Sequence, residues 1–416
     1  MRNNSRAVFT ISSKNYIHYA VTMLKSVEVN NKEVDLYLIL VDTKEDVSLY
    51  DQNINIIWVE ELGIKDFEKI SFKYNILELN TNVKPTAFKK LLEKYHKVIY
   101  LDPDIYVYYS LLEVFTILDD NSISLTPHML QPQYTHHHDR QDIVSEIENL
   151  KTGAYNLGFI GLSQGLETDK FLDWWCNCCL CCAFDEHESG VFVDQKWLSL
   201  VTCYFEKVKV IRNYGMNVAY WNIHERNLKY SETKHVLVND QKLIFFHFSG
   251  HNYIDGECSR LSKHLLAYRV EDGSILQSLL LNYNREVSRN KVLLQRFTDI
   301  NYGYSTYSNG EVIEDLARRV YSRYINEFKN IPFDASGDFY KFASNNSLTS
   351  KCYSKSNSAD VIKLKNSKKV YALEKILSII HRIIGVKRFT LILRFMRHYS
   401  ITTNYAKVFA KSVKKS

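Results

Sequence analysis

Residues 97–108 read Lys-Val-Ile-Tyr-Leu-Asp102-Pro103-Asp104-Ile-Tyr-Val-Tyr. An apolar, β-branched run enters an acidic pair and a second apolar run leaves it, so the pair stands where a buried strand breaks. Side chains i and i+2 of an extended segment point to the same side. Pro103 between them removes a backbone donor and stiffens the break, which suits a strand end better than a strand middle. Two carboxylates this close repel unless a cation lies between them. Hard divalent cations are held by one or two carboxylates together with phosphate oxygens of a substrate. The stretch therefore reads as a metal site for a diphosphate. Asp-Pro-Asp is also ordinary turn chemistry, but two buried runs around an unpaired acidic pair would be costly.

The chain before this stretch alternates strand and helix. Residues 6–12 (Arg-Ala-Val-Phe-Thr10-Ile11-Ser12) form a first strand, Ser13-Lys14-Asn15 a turn and cap, and 16–29 a helix with Tyr16, Ala20, Leu24 and Val27 at helical spacing. Residues 34–41 form a second buried strand and 54–59 a third. This succession predicts a parallel sheet that binds ligands at the carboxyl ends of its strands. No Gly-x-Gly-x-x-Gly joins strand to helix, which disfavours a dinucleotide site. Residues 67–78 read as helix, and Lys84-Pro85 opens another over 86–95. Lys84 is either a cation for phosphate oxygens or an exposed lysine at a helix start.

Further along, 122–126 is a short strand and 127–139 a mobile polar loop carrying His128, His136, His137 and His138. Residues 152–162, with Asn156, Gly158 and Gly161, form a glycine-punctuated strand of the kind that a ligand or backbone approaches closely. Residues 170–184 form an apolar helix, and 192–198 open another with Asp194 and Gln195 in its first turn. Residues 243–248 are a last core strand, emerging as His247-Phe-Ser-Gly250-His251.

Of 8 cysteines in 416 residues, Cys176, Cys178, Cys179, Cys181 and Cys182 lie together on the apolar helix. With no second Cys-x-x-Cys knuckle, they read as buried, reduced thiols and not as a zinc site. The start of the chain carries no leader-like apolar core and no run reaches spanning length, so a cytoplasmic location is expected. After residue 360 there are 14 Lys and Arg against one acid, Glu374. That tail carries +13 and the preceding 360 residues −7, which together give the +6 of the whole chain. From residue 370 the basic residues interleave with Leu and Ile at helical spacing, a pattern that lies on anionic membrane surfaces. A helical appendage on the body or a dimer contact is the competing reading. Nucleic acid is not expected as a partner, because the body is acidic and carries no recognition module.

In their order, these motifs resemble a nucleotide-sugar-dependent glycosyltransferase of the GT-A fold, most of all the family-eight type that includes glycogenin-like and bacterial lipopolysaccharide galactosyl- and glucosyltransferases. The similarity spans residues 7–252 and implies an α/β fold, a Rossmann-like mixed sheet flanked by helices, with a helical C-terminal appendage. The implied domains are a catalytic domain over 1–255, a helical and irregular extension over 256–350, and a basic amphipathic tail over 351–416. By the same resemblance Thr10, Ile11, Ser12 and Tyr16 hold the nucleotide base, and Asp102, Asp104 and His247 bind Mn²⁺ or Mg²⁺ and through it the diphosphate of a UDP-sugar. Asn156-Leu-Gly158 and Gly250 match the family's Asn-x-Gly and His-x-x-Gly, while Asp194 and Gln195 lie against the sugar and the reacting carbon. Mixed oxygen and imidazole ligation suits Mn²⁺ somewhat better.

The resemblance further implies hexose transfer to a glycan hydroxyl with retention of configuration. The family commonly continues its histidine motif with a phosphate-clasping lysine. Tyr253 takes that place here, leaving His251 or Lys84 to substitute. The segments 220–226 and 304–319 resemble a branch associated with bacterial surface polysaccharide, and a lipid-linked acceptor would fit a membrane-bound tail. Two rivals share the fold: a sugar-nucleotide nucleotidyltransferase, for which Ser13-Lys14-Asn15 is a poor glycine-rich loop, and a non-catalytic glycan-binding scaffold.

Overall fold

The computed structural model describes residues 5–45, 53–133, 140–254, 256–350 and 368–413. The chain forms two compact units, one of residues 1–65 and 76–303, the other of residues 66–75 and 304–416.

The first unit is built on a seven-stranded sheet. Its strands are β1 (Arg6–Ser12), β2 (Asp35–Leu40), β3 (Ile54–Trp58), β4 (Lys97–Leu101), β6 (Ile123–Pro127), β7 (Tyr155–Ser163) and β8 (Val208–Val210), with β5 (Ile105–Val107) outside it. The order across the sheet is β8-β6-β7-β4-β1-β2-β3. All pairs are parallel except those of β7, which runs antiparallel to both β4 and β6. The alternation of strand and helix predicts a parallel sheet; the reversed β7 makes it mixed, as the family resemblance implies.

The central strands are near-continuous apolar runs because both faces are covered. On one face Val8, Leu38, Ile99 and Leu101 pack with Ala20, Val21 and Leu24 of α1 (Ile17–Asn30) and with Val114 and Leu118 of α5 (Leu112–Asp120). On the other, Phe9 meets Phe88 of α4 (Lys84–Leu92) at 4.8 Å and Tyr100 at 5.1 Å between ring centroids. Phe88 in turn faces Trp175 of α7 (Leu166–Cys182).

Beyond Asp104 the chain turns back as β5, which pairs antiparallel with β9 (Phe245–His247) so that Ile105 lies opposite His247. Because β7 is reversed, its start lies at the same edge as the ends of β4 and β6. The topology thus brings Asp102, Asn156 and Thr126 to one rim. The helix α8 (Ile275–Leu293), capped by the Ser274 side chain, is tied to α1 by a 2.7 Å bond from Asn290 Nδ2 to Thr22 Oγ1.

Three expectations are corrected. The helix over 67–78 is broken: it stops at Lys73 and restarts as Ile76–Asn82, since Tyr74 is extended. Arg318, buried in the second unit, donates to the carbonyls of Phe72 at 2.7 Å and Tyr74 at 2.9 Å, satisfying groups that a continuing helix would have used. Residues 192–195 are a turn, not a helical first turn, because Val193 takes a left-handed φ of 39°; a 3₁₀ stretch follows over Lys196–Leu200. His128 is buried and its backbone N–H bonds to the Ala154 carbonyl, so it is not part of a mobile loop. His136, His137 and His138 lie outside the described residues.

The five clustered cysteines all fall within α7. Cys176, Cys178 and Cys179 are buried, Cys182 is half-buried and Cys181 is exposed.

The second unit centres on an aromatic core of Phe72, Tyr307, Tyr321, Phe328, Phe339 and Phe342. Its last long element, over Lys368–Ser400, is two helical segments meeting at a kink, Gly385, with φ 75° and ψ 161°. Ile376, Ile379, Ile383, Leu391 and Phe395 on it are exposed. Among the described residues no helix is long and apolar enough to cross a membrane.

Candidate active site

The break after β4 is held by backbone bonds on both sides: Asp102 N–H donates to Gly158 O at 2.8 Å, and Phe248 N–H donates to Asp104 O at 2.8 Å. These bonds fix the acidic pair between β7 and β9. His247, 3% exposed, faces it with Nε2 3.0 Å from Asp104 Oδ1 and 3.6 Å from Asp102 Oδ2. One ligand atom from each of the three residues lies within 4.8 Å of the others.

The approach of the imidazole depends on Gly158. A Cβ there would stand 2.4 Å from His247 Cε1, so any other residue would push the ring away from the carboxylates. Behind the ring, Nδ1 lies 3.2 Å from Oδ1 of Asn217, a fully buried residue with φ 54°. Trp221 meets the ring edge-on at 5.1 Å between centroids.

Burial pulls the His247 imidazole down, and Asp104 and Asp102 more than offset it, leaving it above the usual histidine range. Burial raises the Asp102 carboxyl, and Asp104 adds to that, while Lys84, His247 and a 2.5 Å bond from Tyr100 OH work in the opposite direction. A site that holds the Asp102 carboxyl up in this way favours a cation beside it, since the cation removes the repulsion from Asp104. Two carboxylates and a neutral imidazole form a donor set that Mn²⁺ or Mg²⁺ accepts.

Lys84 is not an exposed lysine at a helix start. It is buried at the start of α4, with Nζ 2.7 Å from Asp194 Oδ2, bonded to Leu157 O at 2.9 Å and 4.2 Å from the Tyr100 ring centroid. Asp194 is as deeply buried, and burial lifts its carboxyl against the pull of Lys84. Gln195 accepts from Leu157 N–H at 2.9 Å through Oε1 and donates to Thr152 O at 3.1 Å through Nε2. Asn156 reaches Gln195 Oε1 and His128 Nε2, each at 3.4 Å. Lys84, Asp194, Gln195 and Asn156 therefore form one buried polar shell with the three acidic and imidazole groups.

At the end of β1, Thr10, Ile11 and Ser12 are buried, and Tyr16 stacks on Tyr19 at 4.0 Å. Tyr16 is 37% exposed as a whole, while burial of its hydroxyl, with Asp104 adding to it, raises that group. Gly250, at φ 67°, makes the turn after β9. His251 is not available to clasp a phosphate as its ring stands: Nε2 is 2.8 Å from Asn284 Oδ1 and Nδ1 3.2 Å from Leu261 O.

Asn217, Tyr100 and Trp221 escaped the sequence reading. Each supports the site from a buried position, and no motif marks them. The one available signal was a polar Asn217 opening an otherwise apolar Val-Ala-Tyr-Trp run.

Residues 7–163 match the model of the family described as glycosyl transferase family 8. Two curated relatives, both from Bacillus subtilis strain 168, are described as uncharacterized proteins YfnD and YfnF. The first is 23% identical over 67% of this chain and 88% of its own length, the second 26% over 60% and 82%. Among solved structures, the chain is similar to the galactosyltransferase LgtC in complex with donor and acceptor sugar analogs, at 17% identity and a TM-score of 0.38, covering 71% of this chain and 97% of that one. It is also similar to the glycosyltransferase GlyE of Streptococcus pneumoniae TIGR4, at 15% and 0.38, covering 77% and 73%. From β1 to the end of β7, the stretch that takes in the acidic pair, the chain resembles the family 8 glycosyl transferases.

Proposed function

We propose that the protein transfers a hexose from a UDP-sugar to a glycan hydroxyl, with Mn²⁺ or Mg²⁺ held by Asp102, Asp104 and His247. The meeting of His247 with the acidic pair is the observation that carries this reading. When bound, the cation supplies charge stabilisation for the departing nucleoside diphosphate. Thr10, Ile11, Ser12 and Tyr16 line the base end of the donor, and Asn156, Gly158 and Gly250 shape the diphosphate end. Lys84 keeps a positive charge beside the leaving group, fixed in advance by Asp194, Leu157 O and the Tyr100 ring, so that it needs no reorganisation during transfer. Asp194 and Gln195 hold the reacting end of the sugar.

Against the nucleotidyltransferase reading stands Lys14, whose ammonium lies 3.1 Å from Glu45 and 3.8 Å from Asp42. Incubation with a panel of UDP-sugars and Mn²⁺, following UDP release with and without glycan acceptors, tests the proposal. Release from one donor supports it; silence across the panel with acceptor present favours a scaffold, and diphosphate release from UTP favours the rival.

The partner of the tail is proposed to be an anionic membrane surface, with a lipid-linked glycan as acceptor in surface polysaccharide assembly. The support is the +13 charge of the residues after 360, of which eight Lys and Arg fall on the two segments that meet at Gly385, interleaved with exposed apolar residues.

A further inference from the structure

An imidazole can offer Nε2 to a cation only when its proton resides on Nδ1. In His247 the nitrogen that faces the carboxylates is Nε2, and Nδ1 lies 3.2 Å from Asn217 Oδ1. A carboxamide can face either way, so what fixes its oxygen toward the ring decides the tautomer. Asn217 Nδ2 has two partners behind it, Thr126 Oγ1 at 2.9 Å and Asn156 Oδ1 at 3.0 Å. Asn156 Oδ1 also receives Gly158 N–H at 3.0 Å. A backbone N–H only donates. Asn156 must therefore present its oxygen, Asn217 its amide nitrogen toward that oxygen, and the remaining oxygen of Asn217 must accept from His247 Nδ1–H. One backbone amide sets the direction of the whole series.

We propose that Asn217 is a positioning residue: through Asn156 and the Gly158 amide it locks His247 in the Nδ1–H tautomer and so aims the Nε2 lone pair at the space shared with Asp102 and Asp104. Two observations beyond the distances favour this. Asn217 is fully buried, where a carboxamide is retained only if its hydrogen bonds are made. It also holds a left-handed backbone, φ 54°, a conformation that persists when the surroundings impose it. The inference deepens the metal-site reading and rests on it for its consequence: Asp104 Oδ1, 3.0 Å from Nε2, competes for the ring proton until a cation takes that side, so the tautomer that Asn217 sets is read with Asp104 removed.

The test uses the full chain carrying Asp104→Ala, which removes the acceptor beside Nε2, labelled with ¹⁵N at histidine and free of metal, at a pH where the ring shifts no longer change, with His247→Gln assigning the signal. This chain should show an Nδ1–H ring at His247, the further change Asn217→Ala a shift toward the Nε2–H form, and Asn217→Asp, which keeps an acceptor at Oδ1, a return to Nδ1–H. Mn²⁺ affinity by electron paramagnetic resonance should fall about 10- to 100-fold in Asn217→Ala and recover in Asn217→Asp. An Nε2–H ring in the chain carrying Asp104→Ala overturns the proposal, as does a tautomer left unchanged by Asn217→Ala. Should Asn217→Ala not fold, Thr126→Val and Asn156→Ala, each removing one acceptor of the Asn217 amide, replace it with the same readout. If the wild type binds no divalent ion while the tautomer behaves as stated, the metal reading fails and the positioning role stands.

Discussion

Lys84 and Asp194 form an ion pair that is buried on both sides, at 2% side-chain exposure each. Removing one partner from such a pair leaves an uncompensated charge and costs about 3–5 kcal/mol, whereas replacing both with apolar residues can be nearly neutral. Lys84→Met should therefore lower stability by about that amount in urea denaturation, and Lys84→Met with Asp194→Leu should recover most of the loss without recovering transfer. A Lys84→Met protein as stable as the wild type would contradict the placement of this pair. At this scale the sequence was legible where a residue carries chemistry of its own. Asp102 and Asp104 were read from an acidic pair at a strand break, while His247 joined them as a ligand through the family resemblance of its His-x-x-Gly. Asn217 was not legible, because an amide that works by orienting another side chain has no spacing signature.

Among the elements, α1 carries a histidine that the proposed chemistry does not use. His18, 4% exposed, packs against Tyr19 and Tyr253, and neither ring nitrogen has a hydrogen-bond partner among the described residues. Burial, and secondarily Lys291, lowers it to about 4. His128, near the end of β6, is likewise lowered to about 4 by burial. In the unfolded chain both take up a proton near pH 6.5, so the unfolded state binds more protons below that value. Their contribution to stability is thus full above pH 6.5 and is lost as pH falls from there through about 4, by on the order of 3 kcal/mol for each. Chemical denaturation between pH 7 and 4 should show this fall, shallower in His18→Leu; an identical slope in the variant would contradict a neutral, buried His18. The elements themselves were largely readable, since β1, β2, β3 and β4 are long apolar runs bounded by turn residues. The break at Tyr74 was not, because what stops that helix is Arg318, some 240 positions away in sequence.

For the whole molecule, charge is the feature that composition reveals and the fold leaves exposed. The body is mildly acidic and the tail carries +13. Each basic residue near an anionic surface contributes about 1 kcal/mol, screened by salt. The full chain should therefore co-sediment with vesicles containing anionic lipid, much less with neutral vesicles, and should be released by raised salt. Replacing the exposed Lys375, Arg382, Lys387, Arg388, Arg394 and Arg397 together with Gln should sharply weaken vesicle binding while leaving UDP binding intact. Equal binding to neutral vesicles, or none to anionic ones, would contradict the membrane reading.

In the proposed mechanism His247 and the acidic pair share one divalent ion that receives the donor's diphosphate. Isothermal titration of UDP into the full chain, with Mn²⁺ and after chelation, measures this most directly. UDP should bind with Mn²⁺ present, lose binding on chelation, and lose it equally in Asp104→Ala supplied with Mn²⁺. UDP binding that is indifferent to both the chelator and the substitution would contradict the account.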